Sequence, residues 1–333
     1  MRRSDTGFTL VELLVAACIT LLVTAAVVAA MGPAEKAFEA QSESADLQQR
    51  ARVAANAIYR DLLMAGAGPD VGLDEGPLAL TVPSVLPGRP ARAGQDAPGT
   101  FRADAITLIY VPSSSAQTTT ASELVAASGS VRVNTGGGCA QNDGACGLSQ
   151  AVTAIVYDSS GSADVFRVEG VSGSLVELRH TSTDSAKVYA AGSRIAGAMV
   201  RSYFLRVDAA ADTVQLMRDD HDGGPVAPVV DHVVGLTFEY FGDPLEGEGA
   251  FPPATLADGP WRPDEVAANR FDADLLRVRT IGVRVRVESA LSWLRGPAGV
   301  LFSRGGTAAS GSRFVPDQEF NFRISPKNMR GAR

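Results

Sequence analysis

The chain has 333 residues, 45% of them apolar and 20% charged, with 37 acidic against 30 basic side chains and a formal net charge of −7. That length suffices for a sizeable core, and the acidic balance argues against a protein whose main task is to coat a nucleic-acid phosphate backbone. The first predicted element begins almost at once. A basic leader, residues 1–7, runs into FTLVELLVAACITLLVTAAVVAAM, in which Glu12 is the only charge. From Leu13 to Met31 there are nineteen uncharged residues. They give about 28 Å of helix at the standard rise, enough to cross a bilayer. A cleaved secretory signal fits poorly, because the run is about twice the usual length and ends in Gly32, Pro33 and a charged stretch instead of a cleavage site. A plain anchor leaves Glu12 unexplained: a carboxylate in a membrane helix costs roughly 2.5 to 3.5 kcal/mol at the centre and less toward the interface.

The residues Gly7, Phe8, Thr9, Leu10, Val11, Glu12 and Leu13 resemble the processing site of type IV prepilins and type II secretion pseudopilins. The resemblance implies cleavage between Gly7 and Phe8 by a membrane prepilin peptidase, N-methylation of Phe8, and an assembly role for Glu12, fifth from the new terminus. In a filament that carboxylate is expected to meet the terminal ammonium of a neighbour, neutralising both in an apolar core. Arg2 and Arg3 precede the helix. The amino terminus is therefore expected to be cytoplasmic, in a single-pass inner-membrane protein whose head is periplasmic until assembly carries it to a pilus or the cell surface. Loss of the leader leaves side chains with a net charge of about −8.

Beyond the membrane stretch, Gly32 and Pro33 are expected to bend the helix. Leu47, Ala51, Ala54, Ile58, Leu62 and Ala65 then recur at spacings of three and four, predicting an amphipathic helix over 32–66 that stops at Gly66, Gly68 and Pro69. Its alanine-rich stripe suits packing on a globular domain and lacks the sustained heptads of a free coiled coil. Six prolines over 69–100 mark an irregular connection. After it the period changes to two. Strands are predicted at Ala105–Val111, Val152–Tyr157, Val165–Val168, Leu175–Arg179, Met199–Val207, Thr213–Met217, Val233–Phe241, Leu276–Val287 and Phe320–Ile324. In Leu276–Val287, valines and Ile281 alternate with four arginines, so one face is buried and one wet, with an irregularity near Ile281. The fold class is α+β, with a long amino-terminal helix, half membrane and half amphipathic, packed on a mostly antiparallel β-rich head over 67–333. That head is long enough for two β subdomains.

A second resemblance lies in the carboxyl-terminal half. VVDHVVGLTFEYFG from Val229 to Gly242 and the ending from Phe314 are similar to PilW-type minor pilins. The helix segment Arg52 to Gly66, with Asp61 before Leu62 and a final Ala65 and Gly66, is similar to that group and to the J-type pseudopilins.

Outside the helix, few residues suggest chemistry. Cys139 and Cys146 frame a short loop in GGGCAQNDGACG, and in an exported head they are expected to form a disulfide, whereas a metal site would need further ligands. Cys18 reads as a small apolar residue of the membrane helix. Asp219, Asp220 and Asp222 in RDDHDGG form a weak calcium candidate, but the spacing completes no EF-hand loop. A hairpin turn between Thr213–Met217 and Val233–Phe241, where aspartate and glycine supply the turn chemistry, is the preferred reading. The motifs G-x-S-x-G and H-E-x-x-H are missing, as is a phosphate loop, and His180, His221 and His232 have no evident nucleophile or ligand partner. No enzyme activity and no cofactor are expected. The Ser, Thr and Ala-rich stretch Ser113 to Ser130 reads as an exposed loop, and the basic ending as a solvated tail.

Together these features predict a minor pilin for initiation or tip assembly of a type IV pilus. Its expected partners are prepilin peptidase, other minor pilins, the major pilin and the inner-membrane assembly platform. A J-type pseudopilin of a type II secretion system is the first alternative, and an adhesive or DNA-capturing tip protein the second.

Overall fold

A computed structural model describes residues 9–68, 84–87, 105–112, 116–126, 129–136, 139, 144–158, 163–180, 188–208, 210–222, 224–242, 275, 277–309 and 313–329. One α-helix of 55 residues, α1 (Leu10–Met64), opens the fold. It runs through Gly32 and Pro33 without interruption. A single proline removes one hydrogen bond, and the helical turns on either side hold the remainder in place.

Among the described residues, sixteen strands follow. They are β1 (Val85–Pro87), β2 (Ala105–Tyr110), β3 (Gln117–Thr119), β4 (Leu124–Val125), β5 (Ser130–Arg132), β6 (Thr153–Tyr157), β7 (Ala163–Ser172) and β8 (Leu175–His180). The later ones are β9 (Val188–Tyr189), β10 (Arg194–Gly197), β11 (Met199–Asp208), β12 (Thr213–Asp219), β13 (Ala227–Asp231), β14 (Val233–Phe241), β15 (Thr280–Val287) and β16 (Gln318–Ile324). The described strands pair antiparallel in a five-stranded sheet of order β1-β2-β11-β12-β13, a six-stranded sheet β3-β10-β6-β7-β8-β5, a three-stranded sheet β14-β15-β16 and the pair β4-β9. A long apolar helix followed by a mostly antiparallel, sheet-rich remainder is the coarse architecture expected from the sequence.

The chain forms two compact units, and the boundary falls inside α1: Met1–Gln49 with Glu288–Asp317, and Arg50–Val287 with Gln318–Arg333. In the larger unit, β2 and β11 are neighbours in the first sheet, yet all of β3 to β10 lies between them in sequence. That inserted stretch builds the second sheet around its own core, which includes Leu124, Val156, Phe166, Val176, Tyr189 and Ile195. Two β modules are thus nested, one inside the other's sequence. The first sheet is covered by the end of α1. Ala51, Ala54, Ile58, Leu62 and Ala65 are at most 5% exposed, as their spacing requires. Gly66 takes a φ of +79° beyond the last helical turn and donates its N–H to the Ile109 carbonyl, so the helix end is tied directly to β2. All six residues of β2 are buried, and β14 packs against β2, β11 and β12.

Several expectations change in detail. Ser113 to Ser130 is not simply an exposed loop: it contains β3 and β4, and Thr120 and Leu124 are fully buried. Short strands with small polar residues carry little hydrophobic period, and their neighbours' backbone groups hold them in place. The turn after β12 leads into β13, which pairs with β12, whereas β14 pairs with β15. One residue, His232 with a φ of +60°, separates β13 from β14 and turns the chain from one sheet to the next. The last long strand starts at Thr280, and the register shift lies in β14, between Val233 and Gly235, not near Ile281. Its alternation holds, with Ile281, Val283, Val285 and Val287 buried and Arg284 exposed.

In the smaller unit, α1 carries Leu47 at 0% and Glu43 at 7% exposure. The described residues of 288–317 contain one short 3-10 turn, Ser292–Leu294. They are built around a fully buried Glu288, whose carboxylate accepts from Arg295 at 2.7 Å and forms a second pair with Arg304. A buried carboxylate needs such partners, and two guanidinium forks satisfy both oxygens.

Candidate functional site

The feature singled out by the sequence is the start of α1. Gly7 and Phe8 lie outside the described residues. Thr9 and Glu12 are described, and they form a capping box. The Glu12 carboxylate accepts from the Thr9 N–H at 2.9 Å and from its hydroxyl at 2.8 Å, while the Glu12 N–H donates to Thr9 Oγ1 at 3.3 Å. The T-x-x-E spacing was legible in the sequence and marks where the helix starts. Glu12 therefore has a local partner within its own chain. From there to Met31 the helix is exposed: Leu10 is 79%, Leu22 71% and Met31 63% accessible. It is long and apolar enough to cross a membrane. Thr20 and Thr24 donate their hydroxyls back to the carbonyls of Ala16 and Thr20, which hides their polarity within the helix.

A second constellation joins α1 to the five-stranded sheet. Asp61, 6% exposed, accepts from Tyr203 Oη at 2.5 Å and Arg201 Nη1 at 2.7 Å, with the Tyr110 hydroxyl at a marginal 3.5 Å. Arg201 also donates to Asp220 at 2.8 Å, and Arg218 reaches the other oxygen of Asp220 at 2.9 Å. Burial, followed by the Asp61 charge, pushes the Tyr110 hydroxyl up to about 12 and raises Tyr203 as well. Burial works against the Arg201 charge, but Asp61, Tyr110 and Asp220 outweigh it and raise its pKa. Both tyrosines thus stay protonated donors and Arg201 stays a cation, as a structural anchor requires. Sequence reading noted Asp61 only as part of a resemblance, and a lone aspartate on the apolar stripe was the available signal.

The aspartates of RDDHDGG are committed to protein partners. Asp219 accepts from the His221 N–H at 3.0 Å, Asp220 holds the two arginines, and Asp222 accepts from the Gly224 N–H at 2.8 Å. Among the described residues no group of three or more His, Cys, Asp or Glu side chains is arranged to hold a metal ion. His221 does have a hydroxyl partner that the sequence did not reveal: Nε2 lies 2.7 Å from Ser202 Oγ, which is 2.6 Å from Thr107 Oγ1. Asp219 is 3.9 Å from Nδ1. Ser202 is fully buried with both neighbours on its hydroxyl, so this trio ties strands together and does not present a nucleophile to a substrate.

Cys139 and Cys146 form a disulfide in the inserted module, where Ala145 and Leu148 beside it join the core, while Cys18 is a free, exposed cysteine of α1. On the outer face of the three-stranded sheet, Thr237, Glu239, Arg284, Asn321 and Arg323 line an open hollow of about 330 Å³. Arg323 lies 4.0 Å over the Phe241 ring, and the hollow contains no nucleophile and base in contact.

No protein-family profile and no curated protein matches this sequence.

Proposed function

We propose that this chain is a minor pilin, PilW-like in character, that is processed between Gly7 and Phe8 and takes part in initiation or tip assembly of a type IV pilus. The observation that carries the reading is Glu12. It is the only charge in an apolar helix from Leu10 to Met31 whose side chains are exposed in the isolated subunit. An apolar surface of that size needs either lipid or other helices around it, and a carboxylate at one end gives such packing a register. Helices associating head to tail through a contact that does not close on itself propagate as a filament. The sheet-rich remainder is large, and a head of that size repeated along a filament would crowd its neighbours, which favours a minor role. Its alternation of a membrane-length apolar helix with an antiparallel head suits the pilin-like architecture.

Before assembly the subunit waits as a single-pass inner-membrane protein with its amino terminus in the cytoplasm, and prepilin peptidase acts there. Intact-mass measurement of the membrane form tests this directly. The expected product has lost the residues before Phe8 and gained one methyl group at the new terminus. A full-length chain persisting beside an active peptidase would sink the reading. A deletion separates the pilus from the secretion assignment: loss of surface pili supports the former, and exoproteins trapped in the periplasm of piliated cells support a J-type pseudopilin.

A further inference from the structure

We infer that residues 288–309 and 313–317 form a membrane-surface platform, with Trp293, Val300 and Leu301 lying in the interface of an anionic phospholipid bilayer. The inference rests on α1 being a membrane helix, and it concerns the smaller unit alone.

The segment is a built element despite having little regular structure. Leu294, Phe302 and Val315 are at most 5% exposed and form its interior. The Val315 N–H donates to the Leu294 carbonyl, Asp317 to Leu301, and Gly299 to Phe302, so distant parts of the segment are held together. Phe302 and Phe314 meet edge to face at 5.9 Å. A Cβ at Gly306 would run into Arg295 and the Ser292 carbonyl, so backbone and side chain are closely fitted there. Against that interior, Trp293 is 52%, Val300 92% and Leu301 58% exposed. A compact element that hides its polar core and turns large apolar side chains outward is a surface for something apolar.

Two observations choose lipid. The first is continuity with α1. The Ala290 N–H donates to the Glu43 carboxylate at 2.7 Å, fixing the segment to the helix shortly after the apolar stretch. That stretch ends at Met31, and Glu43 lies about 18 Å of helix further on. The headgroup layer occupies about 5 to 7 Å of that distance. The remaining gap, about 11 to 13 Å, is within the reach of the three residues from Ala290 to Trp293 together with the tryptophan side chain. The second is charge. Residues 288–317 carry three arginines against two carboxylates, Glu288 and Asp317, a net charge of +1, although the whole protein carries −7. Arg295 and Arg304 are held by Glu288, and Arg313 is exposed. An exposed tryptophan with an exposed arginine nearby, and with Glu288 buried, is a composition that suits a membrane–water interface.

The test uses the full-length chain in vesicles of phosphatidylcholine and phosphatidylglycerol. Trp261→Phe leaves Trp293 as the sole tryptophan, and an environment-sensitive fluorophore on Cys18, the free thiol of α1, reports the helix. With lipids brominated near the headgroup end of their chains, Trp293 emission should fall by about half. Val300→Asp with Leu301→Asp should restore it and shift it to the red while the Cys18 probe is unchanged. Quenching at Cys18 without quenching at Trp293 would overturn the platform and leave the membrane helix standing. A blue-shifted Trp293 that bromine does not quench would overturn it in favour of contact between copies. Loss of quenching at both positions would remove the membrane helix and the platform with it.

Discussion

Asp61 and the tyrosines around it illustrate how single side chains fix this fold. A carboxylate on the buried stripe of an amphipathic helix is unfavourable by itself, and here it is matched by a guanidinium and a phenol within 2.7 Å. The tyrosines give the cluster a pH signature. The Tyr110 hydroxyl has its folded pKa raised from 10.0 to about 12 by burial and by Asp61, and Tyr203 moves in the same direction. A group whose folded pKa is raised contributes stability that is complete below its unfolded pKa and is lost as pH rises through the folded one. Denaturant midpoints should therefore hold up to about pH 10 and fall between there and about pH 12. Tyr203→Phe with Tyr110→Phe should lessen that fall, the remainder coming from Tyr189 and Tyr240, whose hydroxyls burial also raises. A wild-type midpoint independent of pH across this window would mean that neither phenol is coupled to folding.

At the scale of elements, α1 needs a device to hold its distal end on a sheet, because its stripe is largely alanine and buries little area per residue. Ala51, Ala54 and Ala65 bring the helix close, Ile58 and Leu62 fill the interface, and the polar cluster supplies direction. Removing one member of a buried ion pair typically costs about 3 to 5 kcal/mol. Arg201 is partly solvated and keeps Asp220, so Asp61→Ala is expected at the lower end, about 3 kcal/mol, with Asp61→Asn smaller because it preserves an acceptor for Tyr203. Denaturant unfolding of the detergent-solubilised chain measures both. Equal stability of wild type and Asp61→Ala would show the cluster to be incidental. The Ser202–His221 contact belongs to the same scale. It joins β11 to the turn after β12, and Thr107 on β2 extends it, so three parts of one sheet share a buried polar chain.

For the whole molecule, the proposal turns on the fate of Glu12. Among the described residues its carboxylate is held by Thr9, which gives it hydrogen-bond donors but no opposite charge. The proposed filament would supply that charge as the terminal ammonium of a neighbouring subunit. Glu12→Val should leave leader removal and the methylation of Phe8 intact, while incorporation into pili falls roughly tenfold or more, since the register of helix against helix loses its charge pair. Mass spectrometry of membranes and immunoblotting of sheared pili measure the two effects separately. Unchanged incorporation would detach Glu12 from assembly.

The membrane-length helix, the buried stripe from Leu47 to Ala65 and the alternation in β15 were all readable from the sequence, because each depends on a period that local residues enforce. The stop at Gly66 was equally local, a glycine where the backbone needs a positive φ. The Cys139–Cys146 pairing had only one simple partner in reach. Other features depended on distant strands. No local signal could nest β3 to β10 between β2 and β11, pair β12 with β13 in place of β14, or bring His221 to Ser202. Nor could the sequence place residues 288–317 beside α1, since Glu43 and Ala290 meet across 247 positions. Periodicity reports which face of an element is apolar, and only the assembled sheets decide which partner that face and its buried charges meet.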